Sequence, residues 1–276
     1  MITSYSHLYA ALRRQSPVTL AVVEPKQSHI LEALDAAEAE GWIRPSLFRA
    51  QDPAEAARQA VAAVRAGNAS LLMKGDLDTA TLLQAVLDKT TGLTTQQRLS
   101  HVAVVESPAY DKLMFWTDGG VNLHLDDNTV DSIIENALQV TGACDIPRPN
   151  IALLTLVEKI TESLPETVFA DRTVKRYAGR QNFCLEGPIA LDVALSRSAA
   201  ELKGIASEIA GCTDIFIGPS ITAVNHIVKA LLSLGGAIGG GIILGARVPI
   251  VLLSRSDSKD SKLNSIALGV LLAEGD

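Results

Sequence analysis

Ser254 and Arg255 stand where an apolar run stops. VPIVLL (248–253) gives way to SRSDSKDSK (254–262), and the stretch that follows, 259–273, is patterned as a helix. A short apolar run bounded by polar residues reads as a buried strand. Asp257 or Ser258 is then the expected helix cap. A helix start offers unpaired N–H groups and the positive end of the peptide dipoles, both suited to an anion. Arginine adds a planar fork of donors that matches phosphate or carboxylate. These residue types point to holding an oxyanion. The plain alternative is a capped helix beside a solvated arginine, and the pattern alone leaves both open.

The rest of the chain has to bring such a junction to a useful place. Strands are expected at 18–25, 45–50, 70–75, 100–106 and 112–120, with helices at 29–41, 52–68, 79–89 and 131–143. Asp52 is placed to cap the second of these helices and Gly67 to close it. After the loop CDIPRPN (144–150), strands are expected at 151–157, 182–187, 213–218 and 248–253, with helices near 189–202, 221–233 and 259–273. Segment 161–181 reads as a helix in a loop-rich crossing. Strands apolar throughout, alternating with helices, predict an α/β fold with parallel-rich sheets covered on both faces. LLMKG, CLEGP, IFIGP and VLLS each end a strand just before a helix. In open α/β sheets, ligands sit beyond the carboxyl ends of the strands.

Composition narrows the partners. The formal net charge is −7 over 276 residues, with no basic run, which argues against nucleic acid. The three cysteines, Cys144, Cys184 and Cys212, have no metal or redox spacing and read as small buried residues. No apolar run reaches the roughly 18 residues of a membrane span, and the N-terminal stretch has no secretion layout, so a cytoplasmic protein is expected. The histidines have no nucleophile elbow to serve, since GxSxG is absent, and His101, His124 and His226 read as structural. The glycines of GGAIGGGIILGA (235–246) follow a helix where a dinucleotide fingerprint would open one. A flexible turn with close packing is one account of them, and backbone approach to a ligand is another.

Several segments in collinear order resemble the phosphate acetyl/butyryltransferases, the butyryl branch most closely. They are LLMKG (71–75), LLQAVLDKTTGL (82–93), RLSHVAVVE (98–106), the TD of 117–118 with Asn122, EGPIALDVALS (186–196), AAELKGI (199–205), GCTDIFIGP (211–219), ILGARVPI (243–250) and SRSDSKDSKLNSIAL (254–268). The resemblance implies a two-lobed α/β enzyme similar in fold to the isocitrate and isopropylmalate dehydrogenases, with its site in the cleft between lobes. It implies exchange of the coenzyme A of a short-chain acyl-CoA for inorganic phosphate, giving an acyl phosphate. Neither metal nor nicotinamide is expected; coenzyme A is substrate and product. A homodimer is expected, with 263–272 as one interface candidate and no membrane partner.

By this resemblance Arg255 holds phosphate and Ser254 hydrogen-bonds the thioester sulfur or the developing oxyanion. Lys74 and Arg98 match basic positions for phosphate or the coenzyme A pyrophosphate. Gly187, Pro188, Pro219 and Asn225 shape loops where backbone approaches substrate. Position 261, where the acetyl branch carries an acid, is serine here, and Asp260 beside it suits the helix dipole. The expected lobes are 1–145 with 255–276, and 146–254. Two departures stand out. The family's Val-Pro-x-Ile-Glu-Ala-Gly-Asn is GPSITAVN (218–225) here, with Thr222 for the glutamate and Val224 for the glycine; its Thr-Asp-Ala-Ala-Met-Asn is TDGGVN (117–122). They leave a second reading open, a weakened member that binds coenzyme A or an acyl phosphate as a sensor.

Overall fold

A computed structural model describes residues 1–252 and 257–273. The chain divides into two compact units. The first lobe holds Ser4–His101 and the described residues from Gly239 on; the second holds Met1–Thr3 and Val102–Ile238.

The first lobe starts with α1 (Tyr5–Leu12), β1 (Val18–Val23), α2 (Ser28–Ala39), β2 (Ile43–Phe48), α3 (Pro53–Arg65), β3 (Leu71–Lys74) and α4 (Thr79–Val86). The expected cap of α3 is present: the Asp52 carboxylate accepts from the Ala54 N–H at 2.9 Å, with Pro53 in the first turn. Next come β4 (Ser100–Glu106), β5 (Met114–Thr117), α5 (Asp127–Ala143), β6 (Asn150–Leu154), α6 (Pro165–Arg176), β7 (Cys184–Ile189), α7 (Leu191–Leu195), α8 (Arg197–Lys203), β8 (Ile215–Ile217) and α9 (Ile221–Ser233). The chain returns through β9 (Ile238–Leu244), β10 (Ile250–Val251) and α10 (Lys259–Ala273).

Strands of the first lobe run in the order β2-β1-β3-β10-β9, all parallel except the β10–β9 pair. Those of the second run β4-β5-β8-β6-β7, with only β4–β5 antiparallel. Leu20, Leu71, Leu72, Met73, Ile250 and Val251 are fully buried, as strands covered on both faces require. In the second lobe Trp116 stacks on Phe216 with centroids 4.5 Å apart.

The lobes divide elsewhere than at the 145/146 and 254/255 boundaries expected from the sequence. The two prolines of CDIPRPN do not separate lobes. That loop joins α5 to β6 inside one unit, because β5 and β6 both pair with β8: Phe115 and Ile151 each lie opposite Ile215. Asp214 fixes the arrangement. Its carboxylate accepts from the Asn150 N–H at 2.8 Å and pairs with Lys112 at 2.7 Å.

Two local expectations also change. The glycine-rich run carries a strand, β9. A Cβ at Gly240 would lie 2.8 Å from the Ser265 backbone N, and one at Gly241 would lie 2.4 Å from His101 Nε2, so glycine lets α10 and a side chain approach the strand. The single helix expected over 189–202 is two, broken at Ser196, whose hydroxyl caps the second by accepting from the Ala199 N–H. Residues Ile266–Val270 of α10, the helix read as either core or an interface, are buried in the chain's own core.

Candidate active site

In the first lobe the carboxyl ends of β1, β3 and β10 lie side by side. Val23 is paired with Lys74, and Val251 with Met73. Only 5% of Lys74 is exposed, and its Nζ donates to the Gly75 carbonyl at 3.2 Å and the Leu77 carbonyl at 3.0 Å. This puts a buried ammonium at the end of β3. Gly75 is required beside it, because a Cβ there would lie 2.3 Å from the Val23 carbonyl oxygen and 2.5 Å from that of Glu24. Glu24 is fully buried, with the Ala50 N–H donating to it at 2.7 Å and Lys26 Nζ also 2.7 Å away. The hydrogen bond from Lys26 above all, and that from Ala50, hold its carboxyl below the usual glutamate range.

β10 ends at Val251; Ser254 and Arg255 follow in sequence and lie outside the described residues. On their far side the expected cap appears, with the Ser258 hydroxyl accepting from the Ser261 N–H at 3.1 Å. Lys262, in the first turn of α10, is 1% exposed, and its ammonium donates to the carbonyl of Asp257. Arg98 is exposed, in the segment before β4. Its carbonyl backs against Gly245, where a Cβ would lie 2.2 Å away.

In the second lobe a cavity of about 380 Å³ opens beyond the ends of β6 and β8. Leu153, Ile217, Pro165 and Phe169 supply apolar wall; His124, Glu166 and Ser220 are its polar groups. The arrangement suits an apolar chain with a polar end. Gly218 and Pro219 line it, and Ser220 caps α9 by accepting from the Ala223 N–H. Asn225, one turn into α9, donates from Nδ2 to the Gly119 carbonyl at 3.1 Å. The loop it touches is organised by Asp118, 5% exposed, whose carboxylate accepts from the N–H groups of Gly120, Val121 and Asn122 at 2.8–3.0 Å and from Asn122 Nδ2 at 2.6 Å. The Thr117–Asp118 and Gly187–Pro188 peptide bonds are cis.

Lys74 thus stands at the carboxyl end of β3 in the first lobe; in the second lobe, Pro219 and Asn225 follow the carboxyl end of β8. Gly187 and Pro188 lie in a strand, β7, where a loop was expected. A Cβ at Gly187 would meet the Leu153 Cβ at 2.7 Å, so this glycine serves strand packing. His124, expected to be structural, is exposed and lines the cavity. Asp118, Lys262 and the α6 wall were missed. Asp118 had a visible signal, an aspartate just before two glycines where a loop must turn.

The departures from the family pattern resolve into packing. Val224 is fully buried, and its Cγ2 lies 2.3 Å from where a Cβ on Gly218 would be; its Cγ1 lies 3.0 Å from a Cβ on Gly119. The family's valine-then-glycine at positions 218 and 224 is glycine-then-valine here, so the two residues have exchanged one side chain across a contact. Val224 therefore fills the core, and Thr222, in place of the glutamate, is exposed on the first turn of α9.

Comparison with known proteins gives the family. Residues 27–270 match the model for phosphate acetyl/butaryl transferase. A phosphate butyryltransferase of Clostridium acetobutylicum is 36% identical over 95% of this chain and 92% of its own length. A phosphate acetyltransferase of Rhizobium meliloti is 35% identical over 98% of this chain and 94% of its own. Among solved structures, a branched-chain phosphotransacylase from Enterococcus faecalis V583 superposes with a TM-score of 0.88 at 32% identity, covering 93% of this chain and 99% of that one. With its sequence matched nearly end to end and its fold shared, the chain belongs to the phosphate acetyl/butyryl transferase family and is an acyltransferase.

Proposed function

We propose that this protein transfers the acyl group of a short-chain acyl-CoA to inorganic phosphate, with Ser254, Arg255 and Lys74 as the residues that act. A phosphate oxygen attacks the thioester carbonyl carbon and a tetrahedral oxyanion forms. The carbon–sulfur bond then breaks, leaving acyl phosphate and a thiolate. The proton carried by hydrogen phosphate ends on that sulfur. Two anionic reactants must be held together, so cationic and N–H donors carry most of the work. Arg255 clamps phosphate, Ser254 donates to the oxyanion or sulfur, and Lys74 supplies fixed positive charge. Arg98, being exposed, suits the coenzyme A pyrophosphate. Pro219 and Asn225 set the start of α9 and the loop of Asp118.

The observation that carries this reading is the buried ammonium of Lys74, one strand away from the run that leads in sequence to Ser254 and Arg255. The sensor reading loses one of its motives, because Val224 fills the space left by Gly218 and Gly119. The deciding experiment follows thiol release from acyl-CoA substrates of two to six carbons, with and without phosphate. Phosphate-dependent release is expected with at least one of them; coenzyme A binding without turnover on any would defeat the proposal.

The protein acts in the cytoplasm as a homodimer in this reading. The surface that supports pairing is on α9 and just after it: among the buried residues of that helix only Val224 appears, while Leu234 is 88% and Ile238 49% exposed. Sedimentation equilibrium is expected to return twice the chain mass, and a monomer at micromolar concentration would refute it.

A further inference from the structure

Lys262 is placed where a lysine is costly. It lies in the first turn of α10, near the positive end of the helix dipoles, and its side chain is almost entirely removed from water. Burial pushes its amine below the ordinary lysine range, against the opposing pull of the charges facing it, Asp257 before the helix and Asp76 after β3. A methionine or leucine of similar volume would pack the same space without that cost. Local rules broken in this way are commonest where function requires it. The ammonium is also committed to a particular backbone atom, the carbonyl of Asp257. Asp257 is two residues after Arg255 and immediately precedes the cap residue Ser258. The Asp76 carboxylate in turn accepts from the Lys26 and Gln27 N–H groups at 2.7 and 2.8 Å, so the surroundings of the amine are fixed on both sides.

We propose that Lys262 is a positioning residue for phosphate use: by holding the Asp257 carbonyl it sets the entry to α10, the helix that follows β10. This rests on the acyl-transfer reading above. It differs from a stabilising role, because a packing residue would not discriminate between the two substrates.

The test compares K262M with the wild type. The Met variant is expected to melt cooperatively, to raise the KM for phosphate by about tenfold, as expected for one charge-assisted contact, and to leave the KM for acyl-CoA within about twofold. K262R, which keeps the charge, is expected to recover part of the phosphate KM. An unchanged phosphate KM in K262M, or equal rises in both KM values, would overturn the assignment while leaving acyl transfer standing. Should K262M not fold, K262Q takes its place; if neither folds, Lys262 is a folding residue and the proposal fails. If the wild type itself shows no turnover, the acyl-transfer reading fails first. The proposal is then decided by thermal stabilisation with inorganic phosphate: a shift lost in the Met variant supports it, and equal or absent shifts overturn it.

Discussion

Arg255→Ala is expected to raise the phosphate concentration for half-maximal turnover by about tenfold or more and to lower kcat/KM for phosphate on the order of 100-fold, with the melting temperature unchanged. The size follows from the chemistry. Guanidinium-to-phosphate hydrogen bonds are charge-assisted and worth about 1.5–3 kcal/mol. A paired set lost from the transition state gives a rate effect of that order. Lysine restores the charge but not the fork, so Arg255→Lys falls between the two. Initial rates against phosphate at saturating acyl-CoA decide the matter, and an unaltered phosphate response takes Arg255 out of the site.

Asp118→Ala is expected to lower stability by about 2–3 kcal/mol and the melting temperature by several degrees. Its buried carboxylate is the common acceptor for three backbone N–H groups and the Asn122 amide. Removing it leaves donors orphaned. Water reaches some of them, since Gly120 is exposed and Asn122 half-buried, which keeps the loss below the full sum. Asp118→Asn retains one oxygen acceptor and should lose less. Denaturant melts of both variants check the ranking; Ala and Asn behaving alike would mean that the carboxylate does not organise this loop.

Much of this architecture was readable from pattern. Strands such as VTLAVV and LLMK are apolar at nearly every position because both faces are covered, and a run of that kind has few other interpretations. Caps at Asp52 and Ser258 were visible because capping is local chemistry between neighbours. What escaped depends on contacts far apart in the chain. The glycines of β9 read as a flexible turn with close packing; the close packing is present, against α10 and His101, but the segment is a strand. Gly187 and Pro188 likewise looked like a loop and lie in β7. Lys262 lies in a polar stretch of the sequence, and only the packing of α10 reveals that it is enclosed. The lobe boundary was misplaced because two prolines are a local signal, whereas the pairing of β5 and β6 with β8 is not.

The swap of valine and glycine between positions 218 and 224 constrains how such chains are recombined or diverge. A hybrid taking the strand end from a relative with valine at 218 and the helix from this chain would force two isopropyl groups into room for one. The opposite hybrid would leave a hole. Either half-step is penalised, so breakpoints between these residues should be depleted from any functional library of chimaeras.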